Sequence, residues 1–359
     1  MLKRESMTNP FRAEFPFYLP CCVLMLDDNE EFLQSVRTAI SGEHAVLCYT
    51  SPTRALTRLR AAEKQAAQGF YPFSSVSDEA FTDDGDQLVV FQASGLQEII
   101  GSPDRYGMIS VAIVDEVMPE MRGLEFCRKL QKSGIKTILL TGEMTDPAQT
   151  IAAFNDGIID RFISKGDAQA LDKIILAIAE LQQRFFTDKS PALYLATTAA
   201  RKCGLTDDQL NAVMAEAHAI FPYTEYYFHS KSGGYLLRDL SGATKLCLFS
   251  DQETQGEVAD FLADQEGGLA EAEKLRCGSH LLPWGFLNDE FVDENPPGKG
   301  TQTTRTSFAA RAVAGAFWCL IEESDMPPSL YQGPRQNETS WDAFKLGLLA
   351  VPLNEDTAI

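Results

Sequence analysis

Basic residues are scarce in this chain. Its 359 residues hold 31 Lys and Arg against 51 Asp and Glu, a net charge of −20. Affinity for phosphates comes largely from Lys and Arg, so the deficit speaks against a general nucleic-acid binder and leaves room only for a small local reader. Neither half is a basic arm: residues up to Thr187 carry 18 basic and 26 acidic groups, and the remainder 13 and 25. Histidine is scarcer still, with four dispersed residues (His44, His218, His229, His280). Cys21 and Cys22 are adjacent, Cys48, Cys127, Cys203, Cys247, Cys277 and Cys319 are scattered, and no C-x-x-C pair occurs. Zinc-type spacing is therefore absent, and the cysteines read as buried, reduced thiols of a cytoplasmic protein. Long apolar runs are missing too. Ala312–Ile321 is ten residues, too short to span a bilayer. Phe15–Leu26, behind Lys3-Arg4, looks like the start of a secretion signal. Pro16 and Pro20 interrupt it, no small-residue cleavage site follows, and Asp27-Asp28 come at once, which excludes that reading.

Hydrophobic residues make up 45% of the chain, enough for packed cores, and the length suits about two domains. Five short apolar runs recur in the first half, each followed by a helical pattern: Val23–Leu26, Ala45–Tyr49, Ile109–Val114, Thr137–Leu140 and Arg161–Ser164. The purest lack polar alternation, as strands covered on both faces do in parallel sheets. The helices between them have readable ends. Glu30–Ser41 stops before Gly42, Arg122–Ser133 stops before Gly134, and Asp146-Pro147 opens a helix that ends at Gly157. Asp167 can cap the last, with Leu171, Ile174, Ile175, Ile178 and Leu181 as its apolar stripe. The order predicts a doubly wound, five-stranded parallel (βα)5 domain.

Polar residues follow these strands in a pattern. Asp27-Asp28 follow the first, Asp115 ends the third, Thr141 follows the fourth and Lys165 the fifth. In a parallel sheet all strand C-termini lie on one edge, where such folds bind ligands. An Asp ending a strand is ordinarily a turn or cap residue. Five such residues, each at the same end of its strand, form a site. Three clustered carboxylates repel one another and want a hard cation with oxygen ligands, which Mg²⁺ fits best. One carboxylate can then attack a phosphoryl group whose oxygens Lys165 and Thr141 hold.

The acidic pair Asp27-Asp28, the stretch Val114-Asp115-Glu116-Val117-Met118-Pro119 with Gly123 after it, Thr141-Gly142 and Phe162-Ile163-Ser164-Lys165 resemble the CheY-like receiver domain of two-component response regulators. The resemblance covers residues 20–185. It implies that a sensor histidine kinase or phosphotransfer protein phosphorylates Asp115. It implies Mg²⁺ on Asp27, Asp28, Asp115 and the Val117 carbonyl, and Thr141 and Phe162 as switch residues. It also implies a homodimer through the fourth helix, fifth strand and fifth helix, a face including Ile174, Ile178, Asp160, Arg161, Asp172 and Lys173. No enzyme activity is expected beyond self-phosphorylation and autodephosphorylation. Two departures stand out. Gly166 occupies the place after the lysine where the family has proline. Asp28 and Asp115 are 87 positions apart, about twice the family spacing, because of an insertion near 67–106 with a short helix expected at Leu96–Ile100. A haloacid-type phosphatase would need its nucleophile at the first strand, which carries the acidic pair instead.

The segment Ala153–Ile163, the insertion end Ser102–Tyr106 and Gly233-Gly234-Tyr235-Leu236-Leu237 resemble a proteobacterial subgroup that includes response regulators of the Legionella quorum-sensing system. That likeness implies a role in quorum-sensing signalling.

Thr187–Pro191 marks a boundary, giving a receiver domain at 1–187 and an α+β output domain at 188–359. Helices are expected at Ala192–Lys202 and Asp207–Ile220, and strands at Glu225–His229, Tyr235–Arg238 and Thr244–Phe249. Two tight Gly-containing turns join these strands and predict an antiparallel meander. An acidic helical stretch, Gln255–Arg276, is broken at Gly267-Gly268, and Ala-rich Phe308–Ile321 reads as a core helix. The helix over 207–220 carries Asp207, Asp208 and Glu216 and no Lys or Arg, unlike a recognition helix facing DNA. Glu225, His229 and His280 lack a nucleophile or metal spacing beside them and read as structural. Gly298-Lys299-Gly300-Thr301 hints at phosphate binding without the G-x-x-x-x-G-K-[ST] order or a preceding strand. The output is thus expected to switch partner or ligand binding. The alternative is an output that binds or turns over a nucleotide, or that reads DNA through an unrecognised fold.

Overall fold

The structure, a computed structural model, describes residues 9–42, 44–65, 103–142, 145–189, 204–229, 232–265, 267–282, 307–326 and 340–349. Most of the 67–106 insertion, the helix expected at Ala192–Lys202 and the Gly298–Thr301 loop lie outside these residues.

The chain divides into two compact units. One holds a five-stranded parallel sheet: β2 (Cys22–Leu26), β3 (Ala45–Tyr49), β4 (Ile109–Asp115), β5 (Lys136–Thr141) and β6 (Arg161–Ser164), in the order β3-β2-β4-β5-β6. The first three strands are buried from end to end, which is why they lack polar alternation. Helices α1 (Glu30–Ile40) and α5 (Ala170–Lys189) close one face around Val23, Ile113, Leu33, Val36, Ile174 and Ile178. Against the strands also lie α2 (Pro52–Gln65), α3 (Gly123–Leu130) and α4 (Pro147–Asn155). The Asn29 side chain caps α1 at Phe32 N, and the Asp146 side chain caps α4 at Ala148 N with Pro147 behind it.

The other unit is built on a six-stranded antiparallel sheet: β1 (Phe17–Tyr18), β7 (Tyr223–His229), β8 (Gly234–Asp239), β9 (Thr244–Asp251), β13 (Ala316–Glu322) and β12 (Arg311–Val313), paired in that order. Helix α6 (Asp207–Ile220) begins in a capping box of Thr206 and Gln209. It packs on one face, where Tyr223 Oη donates to Met214 O (3.1 Å) and Trp318 Nε1 to Glu216 (3.2 Å). Phe11 lies 4.8 Å from the Tyr226 ring and 5.2 Å from Tyr235. Helices α7 (Gln252–Ala263) and α8 (Leu269–Arg276) share a small core, and β10 (His280–Leu281) pairs with β11 (Phe308–Ala309).

Three expectations are corrected. Phe308–Ile321 is strand, not helix. Ala314 (φ 49°) and Gly315 (φ 80°) form a two-residue turn that pairs Val313 with Ala316, and successive positive φ values cannot continue a helix. Next, the units are not two consecutive halves. Residues 9–19 join the antiparallel unit because β1 pairs with β7 and Phe15, Phe17 and Leu19 alternate into its core. Helix α9 (Trp341–Leu349) joins the parallel unit, beside β3. Its Trp341, Phe344 and Leu348 form one buried stripe, and the Tyr106 ring packs 5.2 Å from Trp341 and 5.4 Å from Phe344. Finally, Ile174 and Ile178 are 1% and 0% exposed, so they belong to the core and not to a docking face. Each stabilises the fold by about 1.5–3 kcal/mol from there.

All seven described cysteines are free, and burial pushes the Cys22, Cys127 and Cys319 thiols up to about 12, so these three are inert. Cys277 alone among the seven is exposed.

The docking of α9 carries a pH signature. Lys345 donates to Gly42 O (2.9 Å), and Arg37 donates to Leu348 O. Burial, and then the Lys345 ammonium, push the nearby His44 imidazole down to about 4 from 6.5. The unfolded chain therefore takes up a proton that the folded chain refuses between these values. Stability is full above the unfolded value and falls as the pH drops towards the folded one. Urea melts at about pH 7 and about pH 5 should show this loss in the wild type and a smaller one in His44→Asn.

Candidate functional site

The parallel register brings the strand ends level. Leu26 lies opposite Tyr49 and Val114, Asp115 opposite Leu140, and Thr141 opposite Ser164. Residues that follow these positions therefore share one edge. Asp27 (1% exposed), Asp28 (exposed) and Asp115 (5%) converge there, each offering a carboxylate oxygen within 4.8 Å of the others. The Lys165 ammonium lies between two of them, 2.6 Å from Asp27 Oδ2 and 2.7 Å from Asp115 Oδ1. Its amide donates to Thr141 O (2.8 Å), which ties the fifth strand's end to the fourth's. The ammonium also stands 4.8 Å from the Phe32 ring centroid, a cation–π contact from α1.

Burial raises the Asp115 carboxyl above its ordinary range. Lys165 opposes the shift, and the charges of Asp27 and Asp28 add to it. Burial works against the Lys165 ammonium, but the hydrogen bonds it donates to Asp115 and Asp27, with their negative charges, outweigh that cost and hold it above its ordinary value. Oxygen-only donors, one exposed and two buried, with the charges of Asp27 and Asp28 adding to the cost of ionising Asp115, are what a hard divalent cation relieves. The residues present fit Mg²⁺.

Thr141 ends β5 at the same edge, Val117 lies in the loop that follows β4, and Phe162 lies within β6, opposite Leu139. Val117 is 45% exposed, two residues beyond Asp115. Thr141 Oγ1 donates to Ile163 O at 3.4 Å. Phe162 is 45% exposed and lies edge-on to Phe154 at 6.1 Å. It is therefore a surface aromatic. Away from this edge, His229 is buried in a turn with its Nδ1 2.9 Å from Ser232 Oγ, and Glu225 accepts from Tyr227 Oη (2.7 Å).

Two contributors escaped the sequence reading. Glu120 accepts from Ser51 Oγ (3.1 Å) and Thr53 Oγ1 (3.2 Å), which ties the loop after β4 to the start of α2. Glu116 is 1% exposed and bound to Arg122 and to the Leu124 amide. The visible signal for it was an acid directly behind an all-apolar strand, beside an acid already assigned.

Gly123 has a clear reason. A Cβ there would stand 2.3 Å from the Asp115 carbonyl oxygen and 2.9 Å from Glu116 Cα. The backbone of α3's first residue thus rests directly on that of Asp115.

No protein-family profile matches the chain, and no curated protein is significantly similar to it. Among solved structures, the response regulator LqsR of Legionella pneumophila is similar over 97% of this chain and 100% of its own, with 20% identity and a TM-score of 0.66. A response regulator receiver domain from Clostridium thermocellum is 20% identical over 46% of this chain and 96% of its own (TM-score 0.30). A CheY-like receiver domain protein from Methanospirillum hungatei is 18% identical over 47% of this chain and 97% of its own (TM-score 0.27). The chain accordingly shares the fold of that Legionella response regulator along nearly its whole length, with one unit built on a parallel sheet and one on an antiparallel sheet.

Proposed function

We propose that this chain is a response regulator of a two-component phosphorelay, with Asp115 as the phosphoacceptor. The observation that carries the reading is the convergence of Asp27, Asp28 and Asp115 with Lys165 held between Asp27 and Asp115. A carboxylate oxygen of Asp115 attacks the phosphorus of a phosphohistidine on a sensor kinase or phosphotransfer protein. The O–P bond forms as the P–N bond breaks, and the imidazole leaves. Asp27, Asp28, Asp115 and the Val117 carbonyl would hold Mg²⁺, which would supply charge neutralisation at the phosphoryl oxygens. Lys165 exchanges part of its contact with Asp115 for a phosphoryl oxygen, and the Thr141 hydroxyl takes another. Thr141 moving inward gives Phe162 room to follow.

The output is switched through association of two copies. Exposed apolar residues on α4, β6 and α5 (Ile151, Phe154, Phe162 and Leu171) offer the surface. Of the charged residues on this face, Asp160 accepts from Thr137 N, and Arg161 and Lys173 pair with Glu180 and Asp167 within the unit. The apolar residues therefore carry the contact. Beryllofluoride with Mg²⁺ should raise the mass seen by light scattering towards that of a dimer. Ile151→Asp should stay monomeric while still accepting a phosphoryl group, and a wild type unmoved by beryllofluoride would rule the dimer switch out.

A further inference from the structure

The carboxylate next to the phosphoacceptor performs a different task from it. Glu116 leaves β4 one residue after Asp115, and its amide donates to Leu140 O (3.0 Å), so its backbone is still held in the sheet. Its side chain is buried, and both carboxylate oxygens are engaged. Oε1 receives Arg122 Nε at 2.9 Å and Arg122 Nη2 at 2.7 Å, and Oε2 accepts from Leu124 N at 2.8 Å.

Leu124 is the second residue of α3, and the N-cap residue Arg122 makes no side-chain capping bond. Glu116 therefore caps the helix from outside it, placing a negative charge at a helix start that needs an acceptor. Gly123 N donates to Glu116 O (3.1 Å), closing the segment from 116 to 124 into a loop that begins and ends on one residue. Val117 is the first residue inside that loop.

We propose that Glu116 and Arg122 form a positioning pair for the cation site. The pair holds the turn that carries the Val117 carbonyl and presses α3 onto the backbone of Asp115. Val117 is bonded directly to the clamped residue, and Gly123 at the far end of the loop packs on the Asp115 carbonyl. The turn between has little freedom while the charge-assisted bonds stand. Neither residue touches the phosphoryl group, and the inference rests on the reading of Asp115 as the phosphoacceptor site.

The sign of one substitution separates positioning from plain electrostatics. Arg122→Ala removes a positive charge near a cation site, so a Coulombic effect would tighten Mg²⁺ binding. Loss of positioning would weaken it, by about tenfold if the pair acts as outer-shell partners do.

The experiment is calorimetric Mg²⁺ titration of the full chain and its Arg122→Ala, Arg122→Lys, Glu116→Gln and double variants, with melting followed in metal-free buffer. Arg122 is more than half exposed, and the melts in metal-free buffer separate a loss of fold from a loss of positioning. The expected result is weaker Mg²⁺ binding in Arg122→Ala, partial rescue in Arg122→Lys, and a double variant no worse than Glu116→Gln alone. Unchanged or tighter binding in Arg122→Ala, with a wild type that binds Mg²⁺, overturns the positioning role alone. A wild type that binds no Mg²⁺ overturns the phosphoacceptor reading and this inference together.

Discussion

Asp115→Asn should abolish covalent phosphoryl uptake and, in metal-free buffer, raise the melting temperature. The first effect follows from chemistry, because an amide oxygen cannot make the acyl phosphate that a carboxylate makes. The second follows from the site's electrostatics. Burial, with the charges of Asp27 and Asp28, raises the Asp115 carboxyl above its unfolded value, so its charged form weighs against the fold at neutral pH. A carboxyl with a raised folded pKa gives stability as the pH falls through that value and withholds it above, and a neutral isostere removes the penalty. Lys165 keeps Asp27 as a partner in the variant. Added Mg²⁺ should then raise the melting temperature of the wild type more than that of Asp115→Asn. Differential scanning fluorimetry with and without Mg²⁺, beside intact-mass spectrometry after exposure to acetyl phosphate, reads both effects. A variant melting below the wild type in metal-free buffer would contradict the electrostatic account of the site.

Gly123→Ala should be the most damaging single-methyl change in the parallel unit. The added Cβ would stand 2.3 Å from the Asp115 carbonyl oxygen, a distance no contact tolerates. The opposing atom is backbone in a fully buried strand, so no side-chain rotation relieves the clash. Helix α3 must lift from β4, breaking the Gly123 N and Leu124 N bonds to Glu116. Overpacking of this kind costs about 1–3 kcal/mol, and the rigidity of the opposing group puts this case at the upper end. Urea denaturation should show the loss, and Mg²⁺ affinity should fall with it because the Val117 turn is displaced. Ala substituted at Gly42, which has open space around its Cβ position, is the control and should change little.

The parallel unit was legible because its physics is local. Strands buried on both faces read as unbroken apolar runs, and a polar residue after each run marks the sheet edge where Asp27, Asp115, Thr141 and Lys165 meet. What escaped depended on contacts distant in sequence or on weak turn chemistry. Ala314-Gly315 makes a hairpin turn at which Asn-Gly would have announced itself, and the Ala-rich stretch around it imitates a helix. Gln209 Nε2, from α6, donates to Ala314 O (3.1 Å) and supports that turn from across the unit. The exchange of the chain's ends had no local signal either. Nothing near Phe17 names Tyr227 as its partner, and nothing near Trp341 and Phe344 names Tyr106. Ile174 and Ile178 were legible as an apolar stripe and were assigned to the docking face only because the family resemblance placed α5 there. Burial decides for the core.

The acidity of the chain has a partial explanation in the site. Asp27, Asp28 and Asp115 form a buried-to-exposed trio that one divalent cation would largely neutralise. Acids of α6 and α7 stand in first turns, as Asp207, Asp208 and Glu253 do, or hold single partners, such as Glu216 with Trp318 and Asp260 with Arg276. Charge spread in this way keeps a surface solvated and does not gather a ligand.

The central claim is that Asp115 accepts the phosphoryl group. It is tested most directly by exposing the full chain to acetyl phosphate and Mg²⁺, reducing the acyl phosphate with borohydride to homoserine, and mapping the peptides by mass spectrometry. The account predicts conversion at position 115, dependent on Mg²⁺ and absent from Asp115→Asn. No conversion under those conditions, or conversion at a different carboxylate, would contradict it.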